Sequence, residues 1–543
     1  MSQRQTNATS ASGWAPLRST AFARFWTAQF TSNIGSWMQT VAAQWVMTSL
    51  TSSALLLSAI PAAASIPVLL LAVPAGALGD LVDRRRLILA AQGTMLLAAV
   101  ALAVVSAAGL LTPLVLIGLL FVIGIGGAAS APTWQTVQPE LVPPADRPQA
   151  IALGSVNQNL ARAVGPAIGG VLLAVTSAAV VFLANAVSFL AVLGAVAVTA
   201  LPARRSTLPR EHATAAVRAG GRFVGNSPTL LALIVRSIAF VFLAGALWAL
   251  LPLVARQRLG LGSAGYGLLL GCVGVGAVGA ATFGPALRRR LAPRAIYALA
   301  CLMVAVAAGL LAVTHSVAIA AVALIAAGAA WITGLGLLGG AYQGELPAWV
   351  KARGVSYYLV AFQGANGIGA LLLGGIAQAT SVSSAFLVVG GGLAVSAIAT
   401  WPLALPASAA GEDLMAEPLP LPEVAGTVEQ GPVLVTVAYA LTPGNADAFL
   451  DATGELRQTR RRTGAISWHL HRDLQDTDLF IETFLVGSWE EHERQHARLE
   501  RGDRAVLDEI DALLRPGRPR TAHHALGIRP PRRRHCQNAG HPS

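Results

Sequence analysis

The 543-residue chain is poor in charged side chains, in aromatic side chains and in cysteine. Asp, Glu, Lys and Arg make up only 12% of its residues, about half the share that is usual in soluble proteins. A soluble chain of this length could not cover its surface with so few charges. Hydrophobic residues make up 54%, in long uninterrupted blocks. The composition therefore excludes a disordered chain, a coiled coil and an ordinary soluble enzyme, and it predicts a polytopic membrane protein.

Other absences exclude further classes of protein and of binding site. The three cysteines, Cys272, Cys301 and Cys536, lie far apart, which excludes a disulfide framework and a clustered thiolate metal site. The chain contains no G-x-x-x-x-G-K-[ST] sequence, so we expect no nucleotide-driven motor, and nothing in the sequence indicates a cofactor. Its first twenty residues are polar and continue directly into an apolar segment, so no cleavable signal peptide is predicted.

Apolar segments long enough to cross a bilayer follow one another along residues 22–405. A hydrocarbon core of about 30 Å requires about 20 apolar residues in a helix. The first segment, 22–47, is interrupted by Gln29, Asn33, Gln39 and Gln44, which favours a position facing a bundle interior or a cavity. The other segments lie at about 54–79, 87–108, 112–131, 150–173, 177–200, 229–252, 265–286, 295–314, 316–340, 353–378 and 382–405. We predict an all-α bundle of twelve transmembrane helices.

Basic residues are distributed unequally along the chain. Residues 1–410 carry 22 Lys or Arg against 6 acids, whereas residues 411–543 carry 16 against 20, so the basic pI belongs to the membrane part and does not indicate a nucleic-acid partner. Of those 22, 18 fall in the N-terminal segment or in the loops after even-numbered spans, for example in 84–86 and 288–294. Positive charge marks the cytoplasmic side. The sequence predicts a multi-pass protein of the cytoplasmic (inner) membrane with both termini in the cytoplasm.

The two halves of the apolar region repeat each other at an offset of 205 residues. The matching pairs include polar and basic positions, which chance would not align in one register: Gln138 and Gln343, Glu140 and Glu345, Gln158 and Gln363, Gly79 and Gly284, Arg84 and Arg289, Arg85 and Arg290, and Gly169–Gly170 and Gly374–Gly375. Six spans in each half give the halves the same orientation, as expected of a parallel repeat about the membrane normal.

Six spans plus six, together with the loop Gly-Ala-Leu-Gly-Asp-Leu-Val-Asp-Arg-Arg-Arg at 76–86, resemble the major facilitator superfamily. That superfamily carries a G-x-L-x-D-x-x-G-R-R signature between its second and third spans. Five loop residues are gating candidates, although Asp83 stands where the signature has glycine: Gly76, Asp80, Asp83, Arg84 and Arg85. A carboxylate and arginines at helix ends could pair across the cytoplasmic face when the halves rock. The alternative is positive-inside anchoring alone.

The fifth predicted span resembles that of the superfamily's exporters, which carry G-P-x-x-G-G on this helix. Gly165, Pro166, Gly169 and Gly170 match this motif, while Ala152 and Ala161 stand where glycines are usual. Small residues allow helices to approach closely. Residues 1–405 look most similar to the bacterial branch that includes the enterobactin exporter. The resemblance implies export of small amphiphilic molecules by alternating access, driven by an ion gradient with a proton or another cation as the coupling partner.

Charge within the predicted spans is rare and therefore a functional candidate. Arg162 and Arg236 are such charges, with no Asp or Glu in any span. Arg162 could hold an anionic or catecholate-like substrate together with Asn33, Gln158 and Gln363, or could be tied to backbone carbonyls or to Glu140. For Arg236, near the cytoplasmic end, we expect a side chain that reaches to the membrane surface.

After Trp401 the composition changes from membrane-like to soluble. The pattern predicts strands at 433–439, 465–472 and 479–486, helices at 444–462 and from Ser488, and hence a small α+β ferredoxin-like fold. The runs 464–473 and 482–496 resemble the antibiotic-biosynthesis-monooxygenase type of domain. The predicted boundaries are a cytoplasmic segment 1–20, a first half 21–200, a linker 201–228, a second half 229–405, a Pro-rich linker 406–430, the soluble domain 431–515 and a disordered basic tail 516–543.

The soluble domain leaves its role open. His492 and His496 lie four residues apart on one helix, a spacing that can bind metal, but two histidines alone are a weak site and we predict no metal centre. A dimerising or ligand-sensing module is the expected role, and a catalytic domain is the alternative. For the whole chain we predict an exporter that is not an enzyme and that contacts the lipid bilayer and a small-molecule substrate. The alternatives are an importer of the same fold, or a membrane-tethered sensor acting through the tail.

Overall fold

The computed structural model describes residues 14–81, 83–199, 213–347, 349–402, 405–406, 416–417 and 431–527, apart from the side chains of 72–81, 132, 136, 213–217 and 352. These residues form two compact units. The first comprises 1–213, 232–345 and 355–409, and the second comprises 214–231, 346–354 and 410–543. Residues 201–212 of the predicted linker 201–228 lie outside the described residues, as do residues 407–430 of the predicted linker 406–430, apart from 416–417, and the terminal segments 1–13 and 528–543.

The first unit is built from long helices. In the described part of the chain they are α1 (Thr20–Leu50), α2 (Ala54–Leu81), α3 (Arg84–Ala107), α4 (Pro113–Glu140), α5 (Arg147–Val175), α6 (Ala178–Val198), α8 (Pro228–Leu253), α9 (Ser263–Arg290), α10 (Pro293–Val313), α11 (Val317–Gly344), α12 (Lys351–Ala379) and α13 (Val382–Ala399). A shorter helix, α7 (Ala213–Gly225), precedes α8 and belongs almost entirely to the second unit.

Several of these helices begin where a polar side chain caps the backbone. The Ser19 hydroxyl accepts a hydrogen bond from the Phe22 amide at 3.4 Å, and the Thr112 hydroxyl accepts one from the Val115 amide at 3.3 Å. Such caps satisfy amide groups that have no partner within the helix. In the described part of the chain, ten helices are long and apolar enough to cross a membrane. The helices α1 and α5 are not among them because polar side chains interrupt their apolar sequence, and their crossing of a membrane stays a prediction.

Each six-helix half packs mainly within itself. In the first half α1 packs on α5 and α6, α2 on α4, and α3 on α4 and α6, while in the second half α11 packs on α9 and α10, and α10 on α13. A buried amide pair joins α1 to α6, with Asn185 Nδ2 donating to Gln39 Oε1 at 2.7 Å. Between the halves, α5 packs along α9. This contact positions the candidate site.

The second unit contains a four-stranded antiparallel sheet. Its elements are β1 (Val433–Ala440), α14 (Ala446–Thr463), β2 (Ser467–Arg472), β3 (Leu479–Val486), α15 (Trp489–Ala497), α16 (Arg501–Ala512) and β4 (Thr521–Leu526). The strand order is β2-β3-β1-β4, so β1 pairs with both β3 and β4. Alternate residues of β1 and β3 are buried with side chains of α14 and α16 in one apolar core.

The fourth strand corrects a predicted boundary. Residues 516–543 were expected to be a disordered tail, yet β4 pairs with β1 in the register Val435 to His524. The domain therefore extends past residue 515. The segment Thr-Ala-His-His-Ala-Leu has only a weak alternating pattern, and its strand conformation depends on a partner almost ninety residues earlier in the chain.

Candidate functional site

Two glycines of α5 bring that helix against α1. A Cβ atom on Gly165 would lie 2.6 Å from the Cβ of Trp37, and one on Gly169 would lie 2.7 Å from the Cα of Met38. Such distances leave no room for a side chain. Near the same seam Asn33 Nδ2 donates to Asn157 Oδ1 at 2.8 Å. Part of the predicted exporter-type motif thus forms a tight contact within the first half.

The next glycine of the motif brings the two halves together. A Cβ atom on Gly170 would lie 2.6 Å from the Cα of Gly267 on α9, and one on Gly267 would lie 3.1 Å from the carbonyl oxygen of Pro166. Further along the same two helices, a Cβ atom on Gly274 would lie 2.7 Å from the Cα of Ala163. The helices α5 and α9 therefore meet backbone to backbone, in the arrangement that small residues permit between membrane helices.

A polar cluster joins the halves at one end of the bundle. We call the end that carries Arg84–Arg86 and Arg288–Arg290 the basic end, and the other the far end. At the far end the Tyr266 hydroxyl donates to Gln44 Oε1, and Gln44 Nε2 donates to the Trp248 carbonyl at 3.4 Å. Arg256 donates to Thr48 Oγ1 at 2.9 Å. These bonds link α1 to the second half.

A second seam joins α2 to α12. The Gln378 carboxamide oxygen accepts a hydrogen bond from the Ala54 amide at 2.8 Å, and Asn366 Nδ2 donates to Ser65 Oγ at 2.9 Å. Ala54 begins α2 at the far end, and Ser65 lies near the middle of that helix. Together with the α5–α9 contact, this seam closes the bundle from its middle to its far end.

The Tyr266 hydroxyl provides a test of this closed state. We expect Tyr266→Phe to weaken the far-end contact by about 1 kcal/mol, since it removes one buried hydrogen bond, and so to raise the open population about fivefold. The measurement is the maleimide labelling rate of Thr48→Cys in purified protein whose native cysteines are replaced by serine. Tyr358→Phe, which removes a hydroxyl bonded to Ser237, is the matched control. Equal labelling of both variants would contradict a latch at Tyr266.

Arg162 lies within this closed region with a buried nitrogen that has no partner. Its guanidinium carbon is 5.5 Å from the centre of the Trp37 ring, and in the described residues its Nε atom is buried and makes no hydrogen bond. A cation in a low-dielectric setting attracts an anion strongly. The sequence left open a pairing of Arg162 with Glu140. The structure instead places Glu140 Oε2 2.6 Å from the Arg84 guanidinium.

The other predicted binding residues are dispersed. Asn33 is engaged with Asn157 and also accepts from Gln29 Nε2 at 3.0 Å. Gln158 is exposed and Gln363 is half-buried, and no hydrogen bond joins either side chain to Arg162 within the described residues. The structure therefore combines Arg162 with Trp37, which the sequence did not single out, and leaves the three amides as separate candidates.

The predicted gating residues mostly contact their own half. Asp83 accepts a hydrogen bond from the Arg86 amide at 2.9 Å and so caps α3. Arg84 pairs with Glu140, and Arg85 donates to the Ala197 carbonyl. The side chains of Gly76 and Asp80, in the last turns of α2, lie outside the described residues. A role in gating stays a prediction for all five residues.

Arg236 does not reach the membrane surface as the sequence predicted. Its side chain is buried, with 2% of the residue exposed, and it donates to the Thr400 carbonyl at 3.4 Å. The Tyr297 hydroxyl donates to the carbonyl of Arg236 at 3.3 Å. The Thr400 carbonyl, directly after α13, therefore supplies an acceptor for this cation inside the second half.

Aromatic side chains of the second half were missed by the sequence reasoning. The rings of Trp248 and Trp331 meet edge to face at 5.6 Å, and Phe240 lies 6.0 Å from Trp331. Trp248 connects to the first half through its carbonyl and Gln44. Trp331 provided a signal, because it lies in the middle of α11, whereas tryptophan is usually enriched near the ends of membrane helices.

A family model assigns this architecture. The model described as "Transmembrane secretion effector" matches residues 11–532 of the chain. The chain belongs to this family. Its members are membrane transporters of the major facilitator type, which confirms the predicted superfamily.

Similarity to individual proteins agrees with the family. The staphyloferrin A transporter of Staphylococcus aureus is 32% identical over 171 residues, which are 31% of this chain and 43% of that protein. A solved structure of a POT family transporter in complex with 5-aminolevulinic acid has a TM-score of 0.58 at 11% identity, covering 70% of this chain and 96% of its own. The nucleoside transporter NupG in its D323A form has a TM-score of 0.57 at 12% identity, covering 70% and 98%. These structures share the fold.

The second unit of this secretion-effector chain has a buried ionic centre. Arg460 donates to both carboxylate oxygens of Glu482, at 3.0 and 3.2 Å, and Glu482 is completely buried. The Tyr439 hydroxyl and the Trp468 indole each donate to this carboxylate at 2.8 Å. Four donors thus compensate the burial of one carboxylate. Burial and, secondarily, the Glu482 charge raise the pKa of Tyr439.

A histidine cluster covers one edge of the sheet. Nε2 of His492 lies 2.9 Å from Nε2 of His524, and Nδ1 of His492 lies 3.1 Å from Gln495 Oε1. Burial, and then the neighbouring His496, lower the pKa of His492 to about 4. In the described residues no group of three or more His, Cys, Asp or Glu is arranged to hold a metal ion.

The lowered pKa of His492 predicts an acid-sensitive domain. Because the unfolded side chain takes up its proton near pH 6.5 and the folded one only near pH 4, we expect stability to fall across this range as the pH decreases. The slope from this one group is at most about 1.4 kcal/mol per pH unit. Rates of proteolysis within residues 431–527 of the full chain should rise on acidification, and His492→Phe should flatten that rise. The exposed His469, replaced in the same way, is the control; equal profiles would contradict the prediction.

Two short segments from between the membrane helices belong to this unit. Phe223 of α7 packs edge to face on Trp349 at 5.4 Å, and Arg498 lies over the same Trp349 ring at 4.4 Å. Glu491 accepts hydrogen bonds from Arg498 at 2.7 Å and from Arg222 at 3.3 Å. We call Arg222, Phe223, Trp349, Glu491 and Arg498 the clamp. It fastens the soluble domain to α7 and to the segment 346–354.

Proposed function

We propose that this chain exports small amphiphilic anions across the cytoplasmic membrane as a secondary, ion-gradient-driven transporter. Arg162 is the observation that carries the proposal. It presents a cationic group whose Nε atom is buried and has no hydrogen-bond partner within the described residues, on the helix that also contacts the opposite half. A carboxylate, phosphate or catecholate group satisfies that charge with paired hydrogen bonds.

Trp37 indicates the chemistry of the second part of the substrate. Its ring lies beside Arg162 and beside Gly165, so a substrate held by the guanidinium would lie along an aromatic surface. Aromatic faces bury large apolar groups. An anion joined to an apolar or ring-shaped body is the substrate class that fits. The relative named as a staphyloferrin A transporter supports a siderophore-like cargo and the proposed place in the siderophore-exporter branch.

Alternating access requires contacts between the halves that can open. The far-end cluster of Gln44 and Tyr266 and the α5–α9 contact are such contacts in the state described. Arginines accumulate at the other end, and by the positive-inside rule that end faces the cytoplasm. In this orientation the far end is the outer side. Asp80, Arg84 and Arg85 would then latch the cytoplasmic side in the alternate state.

The two less apolar helices, α1 and α5, complete twelve spans in this proposal. They carry Asn33, Gln44, Asn157 and Arg162, whose hydrogen bonds and charge face other helices. The polar side chains lower the mean hydropathy of α1 and α5, and we assign these side chains to the transport pathway. Membrane insertion of both helices accounts for the parallel six-plus-six repeat.

For the soluble domain we propose a ferredoxin-like, ligand-sensing role. The order β-α-β-β-α-α-β with strands 2-3-1-4 supports that fold and the resemblance to antibiotic-biosynthesis-monooxygenase domains. Its buried Glu482 already has four hydrogen bonds from protein donors, so it is not poised as a general base. The clamp gives the domain a route to the segments that lead into α8 and α12.

The decisive experiment compares metabolites inside and outside cells for wild type, a deletion strain, and the deletion strain carrying Asp80→Asn. A compound that accumulates inside the deletion strain, disappears from the medium and is not rescued by Asp80→Asn supports export. Accumulation in the medium instead identifies an importer. A chain truncated after Pro406 distinguishes an exporter from a sensor that acts through the C-terminal tail. The truncated exporter keeps much of its transport, whereas the truncated sensor loses its activity.

A further inference from the structure

A crevice of about 470 Å³ lies within the second half, between α9, α10 and α11. Its walls are mostly apolar, with Phe283 at its rim, Met303 from α10 and Ala329 from α11. Phe283 is 73% exposed, so the crevice opens at the surface of the unit. Arg290, at the last turn of α9, is its charged lining residue.

Arg290 of this crevice and its chain neighbours Arg288 and Arg289 have no counter-charge among the residues that the structure describes. In the described residues Arg288, Arg289 and Arg290 make no hydrogen bond or ion pair with their side chains. Their counterparts in the first half do: Arg84, which aligns with Arg289, bonds to Glu140, and Arg85, which aligns with Arg290, bonds to a carbonyl. The two halves therefore differ in how these arginines are paired, and the difference occurs where the second half has the apolar crevice.

We propose that this crevice binds an anionic phospholipid, with the phosphate on Arg290, which lines the crevice, and on the adjacent Arg289, and with one acyl chain between α9 and α10. Arginine side chains without a counter-charge, next to an apolar cavity, match a phospholipid, because its anionic headgroup is joined directly to hydrocarbon chains. Basic pockets between membrane helices bind anionic headgroups on this principle. Arginines that serve only as positive-inside anchors need no cavity beneath them.

The location separates this site from the substrate site. Its lining residues all come from three helices of one half, whereas Arg162 lies at the contact of α5 with the other half. Rocking of the halves would not expose such a crevice alternately to the two sides of the membrane. A bound lipid would instead fill the gap between α9 and α10 and stabilise the helix that carries Gly267 and Gly274. The inference needs only the membrane location, and it stands whether the chain exports or imports.

Native mass spectrometry of the full-length protein from mixed micelles tests the proposal with phosphatidylglycerol and phosphatidylcholine as probes. Wild type should retain phosphatidylglycerol in preference to phosphatidylcholine. R289Q/R290Q should reduce retention about fivefold for each arginine removed. Arg86→Gln, which removes an exposed arginine from the same end of the first half, is the matched control and should retain the lipid.

A second variant tests the acyl-chain half of the proposal. A Cβ atom on Gly279 would meet no atom within 4 Å, so Gly279→Leu fills the crevice without a backbone clash, and Gly93→Leu is the control because Gly93 is equally free. We expect Gly279→Leu to lose phosphatidylglycerol while keeping all three arginines. Soluble glycerol 3-phosphate should not displace the lipid. Retention that is unchanged in Gly279→Leu, displacement by glycerol 3-phosphate, or equal retention of phosphatidylcholine would each overturn the proposal.

Discussion

Gly170→Leu should strongly reduce transport while leaving the separate halves folded. A Cβ atom at this position would lie 2.6 Å from the Cα of Gly267, so a leucine must push α5 away from α9. Inserting carbon atoms into a packed contact costs about 1–3 kcal/mol, and here both partners are backbone, which cannot move aside by changing rotamer. A shift of that size changes the equilibrium between the closed and open states about 5- to 150-fold. The measurement is initial transport rate in proteoliposomes, together with labelling of Thr48→Cys at the far end.

The control for this prediction is a leucine on a helix surface with space around it. Gly118→Leu on α4 fits, because a Cβ atom there would meet nothing within 4 Å. We expect normal expression and transport from that variant. If Gly170→Leu transported at the wild-type rate, the contact of α5 with α9 would not be part of the working cycle, and the motif would serve only the fit of α5 against α1.

The exporter-type motif shows what sequence could and could not predict. Glycine spacing on one helix is a local property, so the sequence could identify Gly165, Gly169 and Gly170 as contact positions. It could not assign the partners, because Trp37 and Gly267 lie more than ninety residues away on either side. In the structure the adjacent glycines have different neighbours: Gly169 contacts α1, and Gly170 contacts α9 of the other half.

Electrostatic partners were the least predictable feature. The sequence offered Glu140 as a neutralising group for Arg162, yet Arg84 takes that carboxylate at 2.6 Å. It likewise placed Arg236 at a membrane surface, whereas the residue is buried and donates to the Thr400 carbonyl directly after α13. A pairing between helices depends on their rotation and depth, which hydropathy does not report. The strand β4 was missed for the related reason that its pairing is long-range.

The clamp includes two chain segments that continue into membrane helices. The segment that carries Trp349 leads directly into α12, and α7 leads into α8. Both helices contact the first half through side chains or carbonyls, at Asn366 and at Trp248. The two chain segments that the clamp joins to the soluble domain therefore each precede a half-to-half contact.

Arg162→Gln should reduce transport of an anionic substrate by about 10- to 150-fold. Hydrogen bonds to a charged group contribute about 1.5–3 kcal/mol, and glutamine cannot supply the charge. Arg162→Lys should restore part of the rate, because it keeps the charge but loses the paired donor geometry. The readouts are substrate dissociation constant and initial rate, each measured with the anion and with its neutral ester.

The neutral ester makes the result specific to charge recognition. Arg162→Gln should bind the ester as well as wild type does, since the Trp37 ring remains. Arg236→Gln is the matched control, because it removes a buried arginine that bonds to a carbonyl away from Trp37. That variant should lose thermal stability and keep its preference for the anion. An Arg162→Gln protein that still preferred the anion would place the substrate's charge elsewhere in the pathway, and Arg162 would then serve α1 through its contact with Trp37.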